Sequence, residues 1–295
     1  MKAKKVNRLL KMGGWFLDNI EVRDLVPKFL NFFKLAYKDE IEEDERWMMW
    51  KELYNFAAVP PGEDGQKLAK KLLNEAWDKY AQNLSVIEEW APDEEKVQAY
   101  LSKVKALLGC DQPINFVVIY FVGGFENNPF VAPLNKERLA LCLPIENGDS
   151  DIYLVHELTH IVHSQTALLT GEWERTIAST ILQEGLATQV SKFVIPGEPD
   201  ESYIEHKKGW LQSCKKNKSE IFTGIAPFLN ESSSEIVTKF TFGNGTTNHE
   251  REVYFVGWEV VQSLLKTDVT FKDIASIKED SMPDYLSTCI SALCV

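Results

Sequence analysis

In a stretch that is otherwise apolar and uncharged, with Tyr153, Leu154 and Val155 before it and Ile161 and Val162 after it, the chain carries His156-Glu157-Leu158-Thr159-His160. Flanks of this kind suit a helix inside a domain, and three polar side chains at its centre need a reason to be there. On an α-helix each residue turns about 100°, so positions four apart differ by only ~40° and face the same way. Two neutral imidazoles can then hold one Zn²⁺ from a single rigid element. Glu157 is displaced around the helix, where it can hold a water on the ion without displacing it. This is the arrangement of a metal hydrolase, in which zinc lowers the pKa of water and a carboxylate takes the proton. The competing reading is a buried helix whose histidines bond to backbone. It leaves two imidazoles and a carboxylate desolvated without compensation.

Such a zinc site needs a third protein ligand and one open position. His163 shares the face of the pair but lies ~10 Å further down the helix from His156, and is read as a packed histidine. Glu184 is the expected ligand. It sits in the middle of a second helical pattern, TIASTILQEGLATQVSKFVI, in which Ile177, Ile181, Ala187 and Val190 provide a buried side. Metal ligation explains a carboxylate in that setting. Glu172 and Glu174 compete, but both fall in GEWER, a polar connection, and read as surface charges.

The surroundings are those of a soluble α+β protein. A formal charge of −12 over 295 residues argues against a dedicated nucleic-acid binder, which needs a dense basic face. The longest apolar run, Phe116 to Val122, is strand-sized, so no membrane span is expected. The start is basic, but Arg8 and Lys11 interrupt the apolar core that a secretory signal needs, so none is expected. Cys110, Cys142, Cys214, Cys289 and Cys294 form no CxxC pair, and a reducing, cytoplasmic setting is the simpler expectation. No oligomeric state is specified.

Residues 1–110 read as helices. An acidic run from Asp39 to Glu45 precedes Trp47, Trp50 and Tyr54 at helical spacing. A second helix follows Pro60-Pro61-Gly62 with Leu68, Leu72 and Trp77 inward, and a third runs from Pro92-Asp93 to Gly109. The texture then changes to strands: INFVVIYFV, stopped by Gly123-Gly124, then FVAPL and RLALCLPIE. The last of these is the expected edge for an extended peptide to pair with. Asp149 or Ser150 is placed to cap the motif helix, and HEREVYFVGWEVVQSLL is a late helix. A boundary near residue 110 divides a helical region, 1–110, from an α+β region, 111–295.

VHELTH followed by LQEGLAT resembles the gluzincin class of zinc metallopeptidases, in which a downstream glutamate completes a two-histidine site. The glutamate motif is similar to the Asn-Glu-Gly-Phe-Ala of neutral zinc aminopeptidases, with Gln183 in place of the Asn and Leu186 in place of the Phe. Residues 110–270 also resemble a bacterial family of predicted zinc-dependent proteases with a Ser-Glu-Gly-Leu-Ala-type motif and a later Tyr-x-x-Gly, here Tyr254 to Gly257. The resemblance implies a thermolysin-like zincin domain, Zn²⁺ on His156, His160 and Glu184, Glu157 as general base, and a peptide substrate. It gives Tyr254 the role of oxyanion donor, with His249 as the alternative because some gluzincins use a histidine. Gly123-Gly124-Phe125-Glu126-Asn127 is similar to the Gly-Ala-Met-Glu-Asn segment that holds a substrate's amino terminus in zinc aminopeptidases. Its competing reading, which we favour, is a turn between strands. Two other functions stay open: a zincin-fold binding or regulatory module without turnover, and a metallohydrolase of a non-peptide substrate.

The negative charge is unevenly spread. Residues 1–110 hold 18 basic and 19 acidic groups, whereas residues 111–200 hold 4 and 12. Acidity around the motif points to cationic substrates or free amino termini.

Overall fold

The computed structural model describes residues 18–293 apart from positions 39, 40, 61, 127, 136, 137, 147 and 149. The basic start, Asp39, Pro61, Asn127, Asp149 and Cys294 therefore lie outside the described residues. Strand β1 (Asn19–Asp24) is followed by helices α1 (Val26–Ala36), α2 (Glu43–Leu53), α3 (Glu63–Gln82), α4 (Leu84–Glu89) and α5 (Glu94–Leu108). Strands β2 (Asn115–Phe121), β3 (Phe130–Pro133) and β4 (Leu139–Pro144) come next. The chain continues through α6 (Asp151–Ala167), α7 (Ile177–Val194), α8 (Glu201–Ile204), α9 (Trp210–Lys216), α10 (Lys218–Ile225) and α11 (Ser234–Thr241). It closes with α12 (Glu252–Leu264), α13 (Phe271–Ala275) and α14 (Met282–Leu293). The class is α+β, mostly helical with one small mixed sheet. No helix among the described residues is long and apolar enough to cross a membrane.

The sheet has the order β1-β2-β4-β3. β1, β2 and β4 run parallel, and β3 lies antiparallel to β4. The apolar run of β2 is buried from Phe116 onward because both faces of the sheet are covered. Trp90 packs on Tyr120 on one face, and Phe56 packs on Phe121 on the other. Two features depart from the sequence reading. Residues 1–110 contribute a strand, β1, whose Asn19 pairs with Asn115, so one sheet and one hydrophobic core span the expected boundary. And β4 is an interior strand rather than an edge: β3 shields it, leaving β3 as the outer strand on that side.

The aromatic residues of α2 pack largely as their spacing implies. Trp50 and Tyr54 are buried and Trp47 stacks on Trp50. The Tyr54 hydroxyl both donates to and accepts from the backbone of Val122 at the end of β2. In α3 the inward face is Gly65, Ala69, Leu73, Ala76 and Tyr80, whereas Leu68 is exposed. The reason is a rotation of the helix that brings the Tyr80 hydroxyl to the carbonyl of Gly123, at 2.7 Å. Helix α5 runs as expected from an Asp93 cap on the Lys96 amide to Gly109 in the left-handed region.

Helix α7 is the axis of the second half. Every residue from Ile177 to Ser191 is buried, with α6 on one side and α12 on another. At the α7–α12 crossing the backbones touch. A Cβ on Gly185 would lie 2.3 Å from the Gly257 carbonyl oxygen, and one on Gly257 would lie 2.3 Å from that of Ile181.

Candidate metal centre

Helix α6 starts where Ser150 accepts a hydrogen bond from the Tyr153 amide, so Ser150 is the cap. Asp151 ties that end to α5 through Lys96 and the Tyr100 hydroxyl. Four residues apart on this helix, His156 and His160 bring their Nε2 atoms to 3.1 Å from each other. Across from them, α7 delivers Glu184, whose Oε2 is 3.2 Å from His156 Nε2 and 3.5 Å from His160 Nε2. The neighbouring Gly185 lets α12 approach closely enough to bring Tyr254 to the same place.

This triangle can be tested against an ion. Tetrahedral zinc with ligand bonds of about 2.0–2.1 Å has ligand–ligand edges of about 3.3 Å. The observed edges of 3.1, 3.2 and 3.5 Å bracket that value. Two imidazole nitrogens and a carboxylate oxygen are also a donor set that zinc favours. Glu157 completes a group with the two histidines in which ligand-type atoms all lie within 4.8 Å of one another. The contacts to both Nε2 atoms nevertheless belong to Glu184, which leaves Glu157 as the adjacent carboxylate. The residues fit a three-ligand zinc centre with an open side.

The electrostatics are those of buried side chains. Burial works against the charge on Glu184, but the charge of His160 and the hydrogen bonds of both histidines outweigh it and hold the carboxyl well below its usual range. Glu157 goes the other way. Its burial raises the carboxyl pKa, with Glu184 adding to the rise and the two histidines only partly opposing it. The Tyr254 phenol is pushed up by burial and by Glu184 and Glu157, against the pull of Arg251 and Arg175, so it stays protonated and can donate.

His156, Glu157, His160, Glu184 and Tyr254 all face one cleft of about 840 Å³. Its walls include Phe130 and Val131 of β3, the connection from Leu169 to Arg175, and Phe242. Glu172 stands on the wall without touching the histidines, and Glu174 is exposed. His249 is not on the wall. Its ring is held by Ser213, Asn217 and Thr247, which leaves Tyr254 as the donor facing the site. Glu126 is not on the wall either; its carboxylate accepts from the Gly124 amide inside a turn where Phe125 has φ 67°. That geometry matches a turn between strands. His163 is fully buried with no partner for either ring nitrogen among the described residues, and burial pushes its pKa down to about 3.

Several residues in and around the site carry no obvious sequence signal. Glu146 is buried and holds the amides of Gly123 and Phe125. Glu252 is fully buried and accepts from the amide and hydroxyl of Thr247 and from the amide of Thr246, fixing the loop that leads into α12. Arg175 donates to Thr180 and lies 3.9 Å from Glu184 Oε1. Trp173 and Phe242 stack at the rim, with ring centroids 5.8 Å apart. Comparison with protein-family models, curated proteins and solved structures returned no match.

Proposed function

We propose that the protein is a zinc-dependent metallohydrolase of the gluzincin type, acting on peptide bonds. The observation that carries this reading is the convergence of His156 Nε2, His160 Nε2 and Glu184 Oε2 on one point of a cleft that Glu157 and Tyr254 also face. Zinc bound there supplies Lewis acidity, polarising a carbonyl and making water a stronger acid. Glu157, with its raised pKa, takes a proton from the attacking water as the C–O bond forms. It returns the proton to the amine nitrogen as the C–N bond breaks. The Tyr254 hydroxyl donates to the carbonyl oxygen as that atom gains negative charge. A purely structural site would need neither group.

The passage from β4 into α6, then α7, supports a zincin arrangement of residues 111–295, thermolysin-like in outline. Among the described residues before 111, α1 to α5 accompany β1, which completes its sheet. An extended substrate would lie along β3, the outer strand that lines the cleft. Cys110, Cys142, Cys214 and Cys289 are unpaired, which supports a reducing, cytoplasmic setting.

The test is to measure bound zinc, then cleavage of a peptide library by wild type and Glu157→Gln. Retained zinc with lost turnover in the variant is the expected result. A wild type that binds zinc and cleaves no peptide would leave a binding module or a non-peptide hydrolase.

A further inference from the structure

The charge of the cleft does not follow the charge of the chain. Its walls carry Arg138, Arg175 and Arg251 beside Glu157, Glu172 and Glu184. Glu157 and Glu184 belong to the metal centre, and Glu172 is exposed at the rim. Arg138 is neutralised by Glu21 at 2.8 Å, and Arg175 has Glu184 Oε1 at 3.9 Å. Arg251 differs from both. Among the described residues it has no carboxylate at ion-pair distance, and its guanidinium lies over the Tyr254 ring, 5.0 Å from the centroid.

The backbone at this position is also unusual. Arg251 occupies the N-cap of α12 with φ 58°, in the left-handed region that disfavours a side chain, and it makes no capping bond. A small polar residue would serve a cap better. The strained position turns a long cation over the phenol that faces the metal centre, and strain of this kind collects at ligand-binding sites. A guanidinium already stacked on an aromatic ring keeps its N–H edge available, and that planar fork matches a carboxylate.

We propose that Arg251, assisted by Arg175, binds a carboxylate of the substrate, either the carboxyl terminus of a peptide or an acidic side chain near the bond to be cleaved. The inference rests on the metallopeptidase reading and reverses the expectation of cationic substrates. Of the described acidic groups in residues 111–200, only Glu157, Glu172 and Glu184 appear on the cleft wall.

The test is calorimetric binding at low salt to the zinc-loaded full chain carrying Glu157→Gln. Three probes share one amino-acetylated hexapeptide, alanine with one central phenylalanine: the C-terminal amide, the free acid, and the amide with one alanine beside the phenylalanine replaced by glutamate. The expected result is about tenfold or tighter binding of an acidic probe over the neutral amide. In Arg251→Gln that ratio falls toward one, and in Arg251→Lys part of it remains. Preference for the free acid assigns the carboxyl terminus; preference for the glutamate probe assigns a side chain. Equal affinity for all three probes, binding of none, or a preference that survives Arg251→Gln overturns the inference. The last result would mean capture of the carboxylate by the metal alone. Zinc content is measured in each variant, so a collapsed site is recognised. Because binding is read without turnover, carboxylate preference in a protein that cleaves nothing removes the hydrolase reading alone. Cleavage without preference removes this inference alone.

Discussion

Gly185 and Gly257 meet backbone to backbone where α7 crosses α12. Each has a site residue close by in sequence: Glu184 directly precedes Gly185, and Tyr254 lies one helical turn before Gly257. The contact therefore sets how far Glu184, the proposed third ligand, stands from Tyr254, the proposed oxyanion donor. Gly257→Ala puts a methyl group 2.3 Å from the Ile181 carbonyl, which a helix backbone cannot yield without moving. The expected cost is roughly 3 kcal/mol of stability or more, with weakened zinc binding. Urea unfolding and zinc titration of the variant check this. Unchanged values for both would show that the helices tolerate separation.

Ligand assignment separates three carboxylates. Glu184→Ala is expected to lower zinc affinity by more than the 10- to 100-fold typical of an outer-shell residue. Glu172→Ala and Glu174→Ala should leave it within twofold or so, since neither touches the histidines. Competition with a fluorescent chelator measures all three, and equal affinities would remove Glu184 from the site.

For Tyr254, removing only the hydroxyl is the informative change. Tyr254→Phe keeps the ring beneath Arg251 and should lower kcat about 10²- to 10³-fold with zinc retained. Because burial and the neighbouring carboxylates raise the phenol pKa, the wild-type activity should not fall at alkaline pH through loss of this proton before ~pH 10. A change confined to KM would assign the hydroxyl to substrate binding instead.

His163 predicts an acid-dependent loss of stability. Its pKa is about 3 when folded against 6.5 for an ordinary histidine, so below pH ~6.5 the unfolded chain gains a proton that the folded chain refuses. Stability then falls by ~1.4 kcal/mol per pH unit down to about pH 3 from this residue alone. His163→Met removes that slope and two buried nitrogens that have no partner among the described residues. The variant should match or exceed wild type at pH 8 and gain about 2 kcal/mol relative to it at pH 5. Unfolding with the metal stripped from both proteins gives the comparison, and parallel pH curves would contradict it.

How much of this could be read from the sequence depended on the range of the forces involved. The spacing of His156 and His160 is a property of one helix, and the burial of Glu184 follows from its apolar neighbours, so both were visible locally. Strand β1 was not. NIEVRD is half charged and reads as nothing until the edge of β2 supplies its hydrogen bonds. Taking β4 for an edge had the same origin, because strand order is decided by which partners arrive. Glu146 and Glu252 look like surface charges in sequence, and their burial is compensated only by backbone amides that the folded loops present. Arg251 depends on a left-handed backbone that no residue type there signals.

The pairing of Asn19 with Asn115 also orders events in time. Closing a loop of that size costs entropy before any contact repays it, and such non-local pairing slows folding. During synthesis β1 leaves the ribosome long before β2, and α6 and α7 follow later still. The sheet edge must wait through five helices for its neighbour, and the proposed zinc ligands follow only with α6 and α7. A nascent chain halted anywhere before α7 carries His156 and His160 at most, without the carboxylate that closes the triangle. Metal capture would then report that the chain has passed α7 rather than start the fold.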